Sequence, residues 1–263
     1  MIYYKENKIK NQRKLPILFI HGLKGTHRGM IDIARSMSDY HWFLPDMPGH
    51  GQSDLMNLHG IETYAKALLD FMHKRDINKF LVVGHSYGGN VAVELARLAG
   101  PKVVPKMVTI APYPGYKNTP TNLAFGSMYA FIKYFPRPIV NFFLLGKIAV
   151  FVTGLVLYKT SDRERVKALQ KQGYHEETSF EKRVMVEAVE SLREFDLRSR
   201  LNELKQPTLL VYGDIDSFAK LNGIESEIKN SKISVVPYKG GGHLIPLEYP
   251  ERVSALVRGW IEP

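Results

Sequence analysis

The chain has 263 residues, 44% of them hydrophobic and 24% charged, a balance that predicts one large globular domain and excludes an intrinsically disordered chain. It contains no cysteine, which excludes disulfides and thiolate metal sites. Lysine and arginine outnumber aspartate and glutamate by 36 to 26, but they are spread along the chain rather than gathered on one element, so no nucleic-acid partner is predicted.

The first 14 residues are polar and positively charged, and no apolar segment of signal-peptide length follows them. A cytoplasmic location is expected on this basis, and the absence of cysteine agrees with it. The next apolar run, residues 16–20, is only long enough for a strand.

From that point, short apolar runs typical of buried strands alternate with segments of helical periodicity. The predicted strands are residues 16–20, 42–44, 80–83, 104–110, 208–212 and 233–236. The predicted helices are residues 28–38, 61–74, 90–99, one helix between the last two strands, and 250–261. This alternation predicts an α/β fold, in which a mostly parallel sheet carries helices on both faces.

Residues 112–196 interrupt the alternation with a proline-rich start, many aromatics and no strand pattern. Helices are predicted at 162–171 and 180–195, so this segment is interpreted as an inserted helical cap on a core formed by 1–111 and 197–263. The stretch 138–158 is apolar enough to raise the question of a membrane span. Lys147 near its middle would cost about 2.5–3.5 kcal/mol in a bilayer, which favours buried or pocket-lining helices, with membrane contact as the alternative.

A serine stands between the predicted strand 80–83 and the helix 90–99, in the sequence FLVVGHSYGGNVAV. The glycines around Ser86 permit a sharp turn because they have no Cβ. Such a turn lifts the serine hydroxyl above the end of the sheet and places it at a helix N-terminus. The stretch therefore predicts an exposed nucleophile.

Four segments of the chain occur in a characteristic order: His21-Gly22, the loop 46–53 with the sequence DMPGHGQS, the turn 84–89 with GHSYGG, and the late pair GDID at 213–216 and Gly242-His243. In this order they resemble the α/β-hydrolase fold superfamily, over nearly the whole chain outside the insert. The resemblance implies a catalytic triad in the chain order serine, acid, histidine.

On this resemblance, Ser86 is the nucleophile and His243 its general base, since a serine hydroxyl needs a base to take its proton. The acid is Asp216 or Asp214, which both follow the strand 208–212. The family pattern Gly-x-x-Asp favours Asp216. The oxyanion donors implied are the backbone amides of Leu23 and Tyr87. No metal or cofactor is expected.

The cap aromatics suggest a hydrophobic acyl or aromatic group in the substrate, with Phe125, Tyr129, Phe142 and Phe143 as candidate binding residues, although such aromatics also form a cap's own core. The predicted function is a serine esterase with a small-molecule ester substrate. A thioesterase, a carbon–carbon bond hydrolase or a lyase with the same triad, an acyltransferase, and a non-catalytic binding protein are the alternatives. The net charge of +10 fits a solvated surface, an acidic acyl carrier or an anionic membrane surface.

Overall fold

The structure is a computed structural model. It describes residues 1–9, 13–115, 129–136, 138–140, 181–219 and 221–262. The helix predicted at 162–171 and most of the apolar stretch 138–158 lie outside the described residues. None of the helices within the described ranges combines the length and the apolar character that a transmembrane span requires.

Seven strands form one sheet. They are β1 (Tyr4–Asn7), β2 (Ile17–Ile20), β3 (Trp42–Pro45), β4 (Leu81–His85), β5 (Met107–Ile110), β6 (Thr208–Gly213) and β7 (Ile233–Tyr238). Their order across the sheet is β1-β3-β2-β4-β5-β6-β7. All neighbours are parallel except β1 and β3, which pair antiparallel. The predicted α/β fold with a mostly parallel sheet is confirmed.

Helices cover both faces of the sheet. They are α1 (Ile31–Arg35), α2 (Ile61–His73), α3 (Tyr87–Val103), α4 (Lys182–Glu194), α5 (Leu197–Glu203), α6 (Ile245–Glu248) and α7 (Pro250–Ile261), besides helical turns at 129–134 and 138–140. Alternate residues of β2 belong to opposite cores because side chains of a strand alternate between its faces. Leu18 packs in the cluster that includes α2 and α3, and Phe19 in the cluster that includes α1 and α7.

The structure differs from the sequence-based elements at β1 and in the segment between β6 and β7. The sequence does not predict β1, whose residues YKEN are mostly polar and occupy the sheet edge, where one side has no strand neighbour. The helix predicted between β6 and β7 is wrong for the described residues, which contain only the 3-10 turn Ile224–Glu227. Gly223, with φ 83°, breaks any helix there, and the Asp216 side chain takes up the amides of Phe218 and Ala219.

A glycine at the start of α3 lets the turn after β4 press against β2. A Cβ built on Gly88 would lie 2.2 Å from the carbonyl oxygen of His21 and 2.6 Å from that of Ile20. Both contacts are with backbone, so Gly88→Ala is expected to lower the free energy of unfolding by about 3 kcal/mol, measured by urea denaturation.

Gly259 in α7 is the matched control, because a Cβ there meets no atom within 4 Å. Gly259→Ala is expected to raise the free energy of unfolding by about 0.5–1 kcal/mol, the usual helix preference for alanine over glycine. Equal effects of the two substitutions would contradict the steric explanation.

Candidate active site

Ser86 stands at the corner between β4 and α3, in a backbone conformation that non-glycine residues rarely adopt. Its φ is 53° and its ψ is −125°. The corner is held by hydrogen bonds: the Ser86 amide donates to the carbonyl of Ile110 at 2.8 Å, and the Ser86 carbonyl accepts from the Gly89 amide at 2.8 Å. Such strain, of about 1–3 kcal/mol, persists only where the surrounding structure enforces it, and it is concentrated at functional sites.

Three side chains predicted from distant parts of the sequence meet at this corner. The Ser86 hydroxyl donates to Nε2 of His243 over 2.8 Å, and Nδ1 of His243 donates to Oδ2 of Asp216 over 2.8 Å. Because a carboxylate accepts, the proton of the neutral imidazole lies on Nδ1, and Nε2 is left as the acceptor. In this tautomer the imidazole can remove the proton of the serine hydroxyl.

The carboxylate of Asp216 is buried, and both of its oxygens accept hydrogen bonds from the protein. Its second oxygen, Oδ1, accepts from the amides of Phe218 at 2.7 Å and Ala219 at 3.0 Å. Burial acts to raise the pKa of Asp216, but the hydrogen bond and charge of His243, together with these two amides, outweigh it and hold the pKa below its usual range. The Asp216 carboxylate is therefore ionised at neutral pH, where it can accept the Nδ1 proton of His243.

Asp214, the other candidate acid, lies in a different environment. Its Oδ1 accepts from the Gly240 amide at 2.7 Å, and its own amide donates to the carbonyl of Tyr238. Both bonds join the turn after β6 to the turn after β7. The structure thus brings Asp216 to His243 and uses Asp214 to hold the neighbouring turn.

The loop after β2 lies directly against the serine. A Cβ on Gly22 would be 3.2 Å from the Cβ of Ser86, so the backbone can come this close only without a side chain. Gly22 and Gly25 close a tight turn by a 3.0 Å hydrogen bond, with Leu23 between them. Within the described residues, neither the Leu23 amide nor the Tyr87 amide donates to another backbone group. Two amides beside a nucleophile are the arrangement that an oxyanion requires.

The buried side chains of His21 and Asp46 hold the loop after β2 in place by hydrogen bonds. His21 donates from Nδ1 to the Gly22 carbonyl at 2.8 Å and accepts at Nε2 from the Met47 amide at 2.9 Å. Burial lowers the pKa of His21 to about 4, so this bridging tautomer stays neutral at physiological pH. Asp46 accepts from the amide and the ring of His27. These contacts join the loop after β2, which carries His21, to the loop after β3, which carries Asp46.

Two further buried groups contact the loop that carries His243, and the sequence did not single them out for this role. Nε2 of His85 lies 2.9 Å from the His243 carbonyl oxygen, and the amide of Gly242 donates to Oε2 of Glu248 over 3.5 Å. His85 is the direct sequence neighbour of Ser86, and no pattern in the sequence marks Glu248 as a partner of the base.

Leu23 and His243 both have apolar neighbours. Leu23 packs against a small cluster of Ile132, Val140, Val184 and Met185. The Phe218 ring lies 4.7 Å from the imidazole of His243, centroid to centroid. Two residues beside the serine therefore have partly apolar surroundings.

Of the four aromatic residues predicted to bind substrate, only Tyr129 is described. Its hydroxyl is hydrogen-bonded to Glu190 and to Lys133, and the guanidinium of Arg193 lies 4.9 Å from the centre of its ring. The contacts with Glu190 and Arg193 join Tyr129 to α4, and none of the three contacts involves Ser86, His243 or Asp216. Phe125, Phe142 and Phe143 lie outside the described residues.

A family model described as the alpha/beta hydrolase fold matches residues 16–250. A 2-succinyl-6-hydroxy-2,4-cyclohexadiene-1-carboxylate synthase from Enterobacter sp. (strain 638) is 27% identical over 91% of this chain and 88% of its own length. A protein named putative esterase/lipase 3 from Mycoplasma pneumoniae is 31% identical over 41% of this chain and 40% of its own. An esterase structure from Exiguobacterium antarcticum superimposes with a TM-score of 0.81 at 16% identity, covering 100% of this chain and 96% of that one.

Proposed function

Because this chain belongs to the α/β-hydrolase fold family, we propose that it is a serine hydrolase that cleaves carboxylic esters. The observation that carries the proposal is the continuous chain of hydrogen bonds from Ser86 through His243 to Asp216. The similarity to proteins named esterase or lipase agrees with it. The substrate is then a small-molecule ester.

In the first half of the reaction, Oγ of Ser86 attacks the ester carbonyl carbon while Nε2 of His243 takes the hydroxyl proton. The carbonyl oxygen becomes an oxyanion, held by the amides of Leu23 and Tyr87. When the tetrahedral intermediate collapses, the ester C–O bond breaks and His243 returns the proton to the leaving alcohol. The acyl group is left on the serine.

In the second half, a water molecule attacks the acyl carbon and gives one proton to His243. The bond to Ser86 breaks, the serine takes the proton back, and the carboxylic acid leaves. Asp216 holds the imidazole in the reactive tautomer and stabilises its charged form in both halves, since it is ionised and fixed by two amides. The cycle returns every group to its starting state.

The acyl group is proposed to be hydrophobic, because the apolar cluster of Ile132, Val140, Val184 and Met185 packs against the turn that carries the Leu23 amide. On p-nitrophenyl esters from acetate to palmitate, we expect kcat/KM to rise about 15-fold from acetyl to butanoyl, since each of the two added methylenes contributes about 0.8 kcal/mol when buried. Initial rates of p-nitrophenol release measure it. A monotonic preference for acetate would contradict the hydrophobic acyl site.

A second candidate function follows from one observation, the 27% identity to the Enterobacter synthase over 91% of this chain. The activity of the synthase can be assayed in parallel, with the Enterobacter enzyme as positive control. Synthase activity without ester cleavage would replace the esterase proposal by the synthase reaction at the same residues.

A further inference from the structure

The short loop that carries the base is held at two successive residues by buried titratable side chains from different elements. His85, the last residue of β4, contacts the carbonyl of His243 at 2.9 Å. Glu248, in α6, accepts the amide proton of Gly242 at 3.5 Å. A carbonyl oxygen can only accept, so Nε2 of His85 is the donor. Glu248 thus holds the amide of Gly242 and His85 holds the carbonyl of His243, on either side of the peptide that joins these two residues.

His85 keeps a constant charge, whereas Glu248 does not. Burial lowers the pKa of His85 to about 3, with the neighbouring His243 contributing in the same direction, so the ring is neutral throughout the neutral pH range. Burial raises the pKa of Glu248 to about 7, the Gly242 amide opposes this, and the charge of Asp216 adds to it. Glu248 is therefore expected to change its charge near neutral pH.

Nothing in the reaction proposed above uses this carboxyl group. The Glu248 side chain is 1% exposed, and among the described residues its Oε1 has no hydrogen-bond partner. Burying a carboxyl group with one oxygen unpaired costs folding free energy. Its one hydrogen bond leads to the residue immediately before the base.

We propose that Glu248 is a positioning residue for His243: its carboxyl group holds the Gly242 amide, and its ionised form stabilises the imidazolium that develops during turnover. The catalytic part of this proposal rests on the proposed serine hydrolase function. The positioning part does not, since it concerns a contact between the carboxyl and the loop.

The titratable groups that could also act on Glu248 lie on the elements packed against α6. The charge of Asp216 acts on Glu248 directly. The helical segments that contact α6 are α1, α7 and the 3-10 turn His27–Met30. Their titratable side chains are His27, Arg28, Asp32, Arg35, Glu251, Arg252 and Arg258. His27 is bonded to Asp46 and Arg258 to Asp39, and Asp32 pairs with Arg35. Arg28, Arg35, Glu251 and Arg252 are exposed.

The proposal predicts a dependence on pH with a definite sign. Below the pKa of Glu248, the native protein and Glu248→Gln both carry a neutral group at this position, so their kcat/KM values are expected to agree. Above it, only the native protein has the extra negative charge that favours the imidazolium in the transition state. The ratio of native to variant kcat/KM is therefore expected to rise from near 1 at about pH 5.5 to about 10 at about pH 8.5.

Glu251→Gln is the matched control. It removes a carboxylate three residues further along the chain, at an exposed position, and is expected to leave the pH profile unchanged. A native-to-Glu248→Gln ratio that stays constant with pH, or an equal rise for Glu251→Gln, would overturn the catalytic part. A thermal unfolding curve at each pH shows that the compared proteins are folded.

A second measurement needs no activity. In the native protein, the backbone amide NMR resonance of Gly242 is expected to move with a midpoint near pH 7, as its acceptor ionises. Glu248→Gln should remove that step and Glu251→Gln should keep it. This step together with no hydrolysis of any ester would reject the proposed function and retain the positioning contact. Absence of the step in the native protein would overturn the positioning proposal, even if esters are cleaved.

Discussion

Replacing Ser86 with alanine is expected to reduce kcat for ester hydrolysis by a factor on the order of 10⁶. The substitution removes the only atom that the proposed mechanism joins to the acyl group, and the imidazole 2.8 Å away then has no hydroxyl to deprotonate. Rates of p-nitrophenyl ester cleavage for the native protein and Ser86→Ala measure the loss. Covalent labelling by a fluorophosphonate probe should disappear together with activity.

The fold should survive this change. Alanine keeps the Cβ, and the Ser86 backbone is held by its bonds to Ile110 and Gly89, which do not involve the hydroxyl. Ser226→Ala, at an exposed serine that donates to the Gly223 carbonyl, is the control and should retain full activity and labelling. Comparable ester hydrolysis by native protein and Ser86→Ala would refute the acyl-enzyme mechanism.

The second largest effect is expected for Asp216→Asn, with kcat reduced by about 10⁴-fold. The amide group of asparagine can donate to Nδ1 of His243, which favours the tautomer with the proton on Nε2, and that nitrogen can then no longer accept the serine proton. Because asparagine has nearly the same shape as aspartate, the loss of kcat is attributed to the change of tautomer and not to a change in packing. Ester hydrolysis at constant pH, together with thermal unfolding, measures it.

Asp214→Asn is the matched control, since the same chemical change is made two residues away. Asp214 bonds to the Gly240 amide and not to the imidazole, and an asparagine oxygen can still accept that bond. Its kcat is expected to stay within about threefold of native, a change of under 1 kcal/mol. A larger loss for Asp214→Asn than for Asp216→Asn would reverse the assignment of the acid.

The sequence was sufficient to predict an element wherever that element forms because of its own residues and their near neighbours in the chain. Apolar runs such as 17–20 and 208–213 are buried strands because every residue in them is apolar or small, and helix α7 has the predicted bounds. The GHSYGG turn predicts a strained corner because glycines allow close backbone approach on either side of Ser86. Strand β1 escaped prediction because its place depends on pairing with β3, more than 30 residues away.

The relation between distant groups was decided by the tertiary structure. Asp214 and Asp216 follow the same strand and have the same chemistry, so only the direction of each side chain separates them: one faces Gly240, the other His243. Glu248 is an ordinary acidic residue in the sequence, and its raised pKa arises from burial beside Asp216. Local sequence determines which elements form, whereas burial and long-range hydrogen bonding determine which charged groups meet and how their protons are shared.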